Sequence, residues 1–307
     1  MCYYTKRMER IKDLKRKTYF SIILSVIIIL VSNGKSEMFN EHCYEANNSS
    51  WTCNFIPRVV NGRYIHIRIV DFKRNDKRVI LNSSSFADKS WSKVQTLEFI
   101  DTTGRNLSCT FSYKCFKGLT SLKELRIHMS SFWFDHGVFL ELPLVHTLDM
   151  SKCYRLVLDD LTEQLKVQNT LPNLQTLILS ELGSYIKRNN ILNFLFVQSI
   201  LPRNVTILDV SKTQISFANM TALFKSLKTL ERLNVSYSTI ADTWGNDITQ
   251  EDMSHVKVVD MSHATLPAKI VPLFPGKYII ANKTANYSEV RNLDELKNIL
   301  TPTVINV

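Results

Sequence analysis

A six-residue apolar phrase recurs along the chain in the form L-x-x-L-x-L, with Val, Ile, Met or Phe replacing some of the leucines. Seven copies are clear: VQTLEF at 94–99, LKELRI at 122–127, VHTLDM at 145–150, LQTLIL at 174–179, VTILDV at 205–210, LERLNV at 230–235 and VKVVDM at 256–261. Their first residues lie 28, 23, 29, 31, 25 and 26 apart, and a degenerate copy at 64–69 begins 30 residues before Val94. Each phrase is too short for a helix, and its fourth and sixth positions follow the period of two that marks a strand. Placed in register, Leu97/Phe99, Leu125/Ile127, Leu148/Met150, Leu177/Leu179, Leu208/Val210, Leu233/Val235 and Val259/Met261 enter one core. One such strand cannot bury its apolar face alone, whereas parallel stacking of successive copies can, and this predicts a solenoid.

The intervals supply the other side of that core. Six and three residues before several phrases lie Phe116/Leu119, Phe139/Leu142 and Phe224/Leu227. In the longer intervals Leu158, Leu161 and Leu165 recur at helical spacing, as do Ile191 and Leu195 within the cluster 194–197 before Pro202. They predict amphipathic helices with buried faces.

The phrases LKELRI, LDMSKC, LILSEL, LDVSKTQI, LNVSYSTI and VVDMSHATL resemble extracellular leucine-rich repeats. FKGLTSLKEL at 116–125 and LFKSLKTLERL at 223–233 are similar to Toll-like receptor ectodomains in particular. The resemblance covers 94–266 well and 43–71 more loosely, as an N-terminal cap. It implies an α/β fold: a leucine-rich repeat solenoid, or horseshoe, with a parallel concave sheet and an irregular or helical convex side. The family's ninth-position Asn is matched nowhere, and its slots hold Thr102, Ser130, Cys153, Leu182, Thr213, Ser238 and Ala264. Thr and Ser can supply a shorter hydrogen bond, and Cys substitutes in the family, so Cys153 reads as a free, buried ladder thiol. Leu182 and Ala264 offer no side-chain bond, so the backbone there is expected to be satisfied differently.

The ends depart from the repeat. Eight basic and two acidic residues up to Ser36 account for +6 of the +10 net charge. They precede an apolar run at 19–31, and thirteen helical residues reach only about two thirds of a roughly 30 Å hydrocarbon core. This reads as a signal peptide at 1–36, with an uncleaved anchor as the alternative. An N-terminal cap with the degenerate repeat then covers 37–80, repeats 81–271, and an atypical cap or a truncated repeat 272–307. No cysteine follows Cys153, so the resemblance's Cys-rich closing cap is not matched, and closure by a partner or truncation is expected.

Behind such a leader, nine N-x-S/T sequons predict glycosylation at Asn47, Asn48, Asn82, Asn106, Asn204, Asn219, Asn234, Asn282 and Asn286. Short spacing makes Cys43–Cys53 and Cys109–Cys115 the economical disulfides.

With the leader set aside only +4 remains, which disfavours nucleic acid. No Walker loop, nucleophile elbow, H-E-x-x-H or kinase phrase is present, and no catalytic residue, metal or cofactor is expected. Beside the core positions run polar columns on the concave face, including five serines at one position (Ser151, Ser180, Ser211, Ser236, Ser262) that tight curvature would explain. Asp149, Lys152, Asp209, Lys212, Tyr237, Asp260 and His263 form a two-sign surface suited to a protein or peptide ligand. The sequon at Asn234 points into it, and a glycan there would block part of it. The expected function is a ligand-recognising, non-catalytic ectodomain of Toll-like, innate-immune type, secreted or on the cell's outer face. A receptor partner or a second copy of the chain are further partners to expect, and a secreted adhesion or matrix glycoprotein is the alternative.

Overall fold

The computed structural model describes residues 42–72, 78–102, 108–154, 161, 164–165, 167, 170–182, 204–216, 228–241, 254–265 and 278–280. The leader, the helix expected around Ile191 and Leu195, Leu158, the anchors Phe224 and Leu227, and the sequons Asn106, Asn219, Asn282 and Asn286 lie outside these residues.

An eleven-stranded sheet runs through the described chain. Its order is Cys43–Asn47, Ser50–Cys53, His66–Val70, Thr96–Ile100, Glu124–His128, Thr147–Asp149, Thr176–Ile178, Ile207–Asp209, Arg232–Asn234, Val258–Asp260 and Tyr278–Ile280. The first two strands form an antiparallel hairpin, and every later pairing is parallel. The register places Ile67, Leu97, Leu125, Leu148, Leu177, Leu208, Leu233 and Val259 in one continuous row. All eight are buried, as are Phe116, Leu119, Phe139 and Leu142 on the returning chain. The phrase repeats because each copy lays its side chains directly over those of the copy before it, and the chain is a parallel β-solenoid of leucine-rich repeat type.

The other side of the core carries strands in intervals for which no helix was expected. Where described, it carries two short parallel ladders, one of Arg78–Leu81, Ser108–Phe111 and Ser131–Phe134, the other of Gln214–Ser216 and Thr239–Ala241. There is also a 3-10 turn at Lys89–Lys93, and of the helix expected at 158–165 only Leu161, Gln164 and Leu165 are described, helical and buried. The reason is compositional. Segments such as RVIL and SFWF alternate the buried Val79, Leu81, Phe132 and Phe134 with the exposed Ile80 and Trp133, and SCTF between them buries Cys109, Thr110 and Phe111; this is a strand pattern that stacks between repeats as readily as the main phrase does.

The N-terminal hairpin is closed by a disulfide between Cys43 and Cys53. Trp51 stacks on Tyr64 with ring centroids 5.3 Å apart, and the buried Trp91 indole N–H donates to Pro57 O at 3.2 Å. The expected Cys109–Cys115 bond is not formed: both are free, buried thiols. Cys109 lies in a ladder strand opposite Val79 and Phe132, and burial pushes its thiol up to about 12. Cys115 sits in the turn beyond, its N–H donating to Ser112 O at 3.0 Å, and burial drives its thiol well up too. Nearness in sequence does not set the Cα separation and Cβ direction that a disulfide needs, and both sulfurs are part of the core.

At the ninth position the repeats find several solutions. Cys153 Sγ donates to Ile127 O at 2.8 Å, and Ser238 Oγ donates to Val210 O at 3.2 Å, each bridging to the preceding repeat. Thr102 and Ser130 instead donate to Asp71 and Asp101, one repeat earlier. At Ala264 the backbone takes over: its N–H donates to Met261 O, and Thr265 N–H reaches Ser238 O at 2.9 Å.

Candidate ligand-binding face

The solvent face of the long sheet is built by one local device repeated along the chain. Asp149, Asp209, Asn234 and Asp260 each end a strand, and each turns an Oδ1 back to accept the N–H two residues on, at Ser151, Ser211, Ser236 and Ser262, over 2.9–3.0 Å. The residue after each serine enters the left-handed region, with φ of 61° at Lys152, 54° at Lys212, 55° at Tyr237 and 56° at His263; Glu181 joins them at 55°. Their N–H groups continue the inter-repeat ladder: Lys152 to Ser180 O, Glu181 to Ser211 O, Lys212 to Ser236 O and Tyr237 to Ser262 O, at 2.8–3.1 Å. A short polar side chain that caps its own chain, followed by a tight bend, is the Asx-turn chemistry. The serine column is small for the same reason, since Ser151, Ser211 and Ser236 are buried in this bend.

The bend sets the expected contact residues Lys152, Lys212, Tyr237 and His263 in a row on the repeats, with Glu181 joining them between Lys152 and Lys212. Lys212 Nζ meets Glu181 Oε1 at 2.7 Å, and that hydrogen bond raises its pKa. Tyr237 stacks on His263 with centroids 4.4 Å apart and planes 14° from parallel, although the tyrosine remains more than half exposed at 55%. Asp209, Asn234 and Asp260 form the adjoining row, with Asn234 Nδ2 donating to Asp209 Oδ2 at 2.9 Å. Lys212, Tyr237, His263, Asp209 and Asp260 are thus brought together. Asp149 and Lys152 are set apart from them by the strand Thr176–Ile178, which presents Ile178 in the aspartate row.

Toward the N-terminus the same row reads Arg68, Glu98, Arg126, and there it is ion-paired. Arg68 Nε donates to Glu98 Oε2 at 2.7 Å, and Arg126 Nη2 to Glu124 Oε2 at 2.8 Å. His128 lies between two carboxylates: Nδ1 is 3.7 Å from Glu98 Oε1, and Nε2 is 3.0 Å from Asp149 Oδ2 without the alignment of a hydrogen bond. Burial works against the charge on Asp149, yet His128 and the Ser151 N–H outweigh it and hold this carboxyl below the usual carboxylate range. A groove of about 440 Å³ opens over this region, lined by Asn47, Thr52, His66, Arg68, Glu98 and Arg126 among others. In the sequence Glu98 and Arg126 already fall in the column of Asp149 and Asp209; what the sequence did not reveal is that Arg68, in the degenerate first repeat, extends that column and pairs with Glu98.

Among the described residues no group of three His, Cys, Asp or Glu side chains is arranged to hold a metal ion, and no helix is long and apolar enough to cross a membrane.

Row upon row of buried Leu and Val beneath a polar face defines the leucine-rich repeat class. No family model matches the chain, and no curated protein matches it. Solved structures of similar fold include human 5T4 (Wnt-activated inhibitory factor 1, trophoblast glycoprotein), at 13% identity and a TM-score of 0.48, covering 79% of each chain. A TLR13–ssRNA13 complex is similar at 13% identity and a TM-score of 0.45, over 70% of this chain and 32% of that one. The mouse RP105/MD-1 complex is similar at 13% identity and a TM-score of 0.40, over 80% of this chain and 47% of that one.

Proposed function

We propose that the chain is an extracellular, non-catalytic recognition module of Toll-like receptor type, which binds a protein or peptide through Asp149, Lys152, Asp209, Lys212, Tyr237, Asp260 and His263. The observation that carries this reading is the row of left-handed residues. Five successive repeats turn a long side chain outward at the same point of the bend, and their chemistry is varied: Lys, Glu, Lys, Tyr, His. A purely structural bend would be served by Gly or Asn, which reach the left-handed region at least cost. A two-sign row with an exposed aromatic suits a polypeptide, whereas a phosphate backbone calls for clustered unpaired cations.

The test uses the full chain, secreted and immobilised, against a displayed library of extracellular proteins and peptides. Binders selected on the wild type should lose affinity about tenfold or more with Tyr237→Ala, and with Lys212→Glu combined with Asp209→Lys, as expected of a buried aromatic anchor and its charged neighbours. They should keep it with Lys257→Ala, whose side chain is paired with Glu231. Binders indifferent to all of these changes would remove the row from the recognition surface.

A further inference from the structure

We propose that Asn47 and Asn82 are the N-glycosylated asparagines among the described sequons, while Asn204 and Asn234 carry the same signal for structural reasons and remain unmodified. The proposal rests on the extracellular reading above.

The distinction lies in what each side-chain amide is doing. At Asn47, Oδ1 accepts from Ser49 N–H at 3.0 Å and Ser49 Oγ at 3.2 Å; at Asn82, Oδ1 accepts from Ser84 N–H at 2.9 Å and Ser84 Oγ at 2.6 Å. Both asparagines are exposed, and in both the hydroxyl that completes the sequon is bonded to the asparagine's own carbonyl oxygen. The amide nitrogen takes no part in either turn. Asn48 is exposed in the same hairpin turn, but the Ser50 that completes its sequon is half-buried at the start of the strand Ser50–Cys53, and two adjacent asparagines leave room for one glycan, which falls on Asn47.

Asn204, itself exposed, and the half-buried Asn234 use their nitrogens in bonds between repeats. Asn204 Nδ2 donates to Pro172 O at 2.9 Å, and one repeat earlier Asn173 Nδ2 donates to Pro143 O at 2.7 Å. Asn173 is followed by Leu and Gln and is no sequon, so an asparagine at this position has a reason unrelated to sugar. Asn234 likewise stands in the column of Asp149, Asp209 and Asp260, caps Ser236 as they cap their serines, and gives its Nδ2 to Asp209. At Asn234 the Ser236 that completes the sequon belongs to the repeat's serine column, whereas Thr206 stands where the other phrases carry Gln, Lys, His or Glu.

Glycosyl transfer forms a bond between the amide nitrogen and C1 of an oligosaccharide. It breaks the bond from C1 to the diphosphate of a lipid-linked donor and releases one amide proton as the lipid diphosphate leaves. The enzyme meets the chain as it emerges, so the fold acts afterwards, on which molecules are secreted: a glycan on Asn204 or Asn234 disturbs a bond between repeats and holds that molecule back, and one on Asn47 or Asn82 does not. A consequence follows for the proposed surface. The glycan on Asn47 stands at the rim of the Arg68/Arg126 groove, which it screens, and the stretch around Asp209, Tyr237 and Asp260 stays open.

Site-resolved glycopeptide mass spectrometry on the full chain secreted from animal cells tests this directly. The expected result is glycan on Asn47 and Asn82 in most molecules, and unmodified peptides for Asn204 and Asn234. Glycan on Asn204 or Asn234 in folded, secreted protein overturns the assignment, as does Asn48 occupied in place of Asn47, or Asn47 and Asn82 bare while other asparagines are modified. A chain with no glycan on any peptide overturns the extracellular reading itself and the assignment with it. As a second measurement, Asn204→Ala should lower the thermal midpoint of unglycosylated protein from bacteria, whereas Asn82→Gln should leave it within error.

Discussion

The N-terminal repeats, at 66–134, and the later ones, at 147–260, share a register but end their strands differently. In the first group the strands His66–Val70, Thr96–Ile100 and Glu124–His128 are five residues long; in the second, Thr147–Asp149, Ile207–Asp209, Arg232–Asn234 and Val258–Asp260 are three. The difference is the residue in the middle of the phrase. Arg68, Glu98 and Arg126 are too long to cap their own backbone; Arg68 and Glu98 pair across strands, Arg126 pairs with Glu124 of its own strand, and the ladder runs on for two residues. Asp149, Asp209, Asn234 and Asp260 fold back on the serine N–H and stop the strand. Thr176–Ile178 has no such cap, yet it ends in step because both neighbours do. The cores differ as well. Phe111 contacts Phe99, Phe116, Phe132 and Phe134 with centroids 5.4–6.0 Å apart, whereas the later repeats bury Leu and Val. A repeat is therefore not one rule copied: the apolar row is common, and the polar residue beside it decides how far each strand extends.

The largest effect is expected at Gly118 in the aromatic half. A Cβ there would lie 1.6 Å from Phe86 O, a backbone atom, so Gly118→Ala should cost about 4 kcal/mol or leave no folded protein. Gly62→Ala, whose nearest neighbour is Lys93 Nζ at 3.6 Å, should stay within about 0.5 kcal/mol in the same urea titration. Next come Phe111→Ala and Leu208→Ala, at about 3–5 and 2–5 kcal/mol. Because each repeat contacts only its neighbours, Leu208→Ala should strip hydrogen-exchange protection from 204–216 and 228–241 while 94–102 and 108–128 keep theirs. Protection lost throughout together would mean the halves form one cooperative unit.

The capping device is tested by a pair of substitutions. Asp260→Ala should destabilise by about 1–2 kcal/mol by stranding the Ser262 N–H, while Asp260→Asn should be nearly neutral, as Asn234 does the same work one strand away. Equal losses would show that charge, not the cap, matters. Lys212→Val should cost about 1–2 kcal/mol, since a β-branched residue resists the left-handed region, and Lys212→Asn should cost less.

The smallest effect is acid sensitivity from Asp149. Its folded pKa is depressed, so the stability it contributes is fully present above the ordinary carboxylate value of about 3.9 and is lost as pH falls through the lower folded value. Thermal midpoints measured from pH 6 downward should fall less steeply below about pH 4 in Asp149→Asn than in the wild type, with little difference near neutrality.

How much of this was legible beforehand depends on the range of the interaction. Period, strand direction and the buried row followed from the chain alone, because a parallel stack buries Leu97, Leu125, Leu148 and Leu208 only if the same phrase returns in each turn. The columns of aspartate and serine could be read as columns, but not as one device, because their link is a hydrogen bond between a side chain and a backbone N–H whose geometry exists only once the strand ends. The convex ladders were not foreseen, because short apolar segments such as SFWF show their strand pairing only once neighbours are present.

What the sequence determined by itself is the repeat: an apolar spacing that has one economical way to leave water. What only the tertiary structure decided is how single residues spend their polar groups. Cys109 and Cys115 are six residues apart yet unbonded, because burial in a close-packed core gives each sulfur its own place. Asn234 and Asn82 share a motif yet differ in role, because one amide lies between two strands and the other in an open turn. Local sequence sets which groups are present; three-dimensional neighbours set which of them are already satisfied.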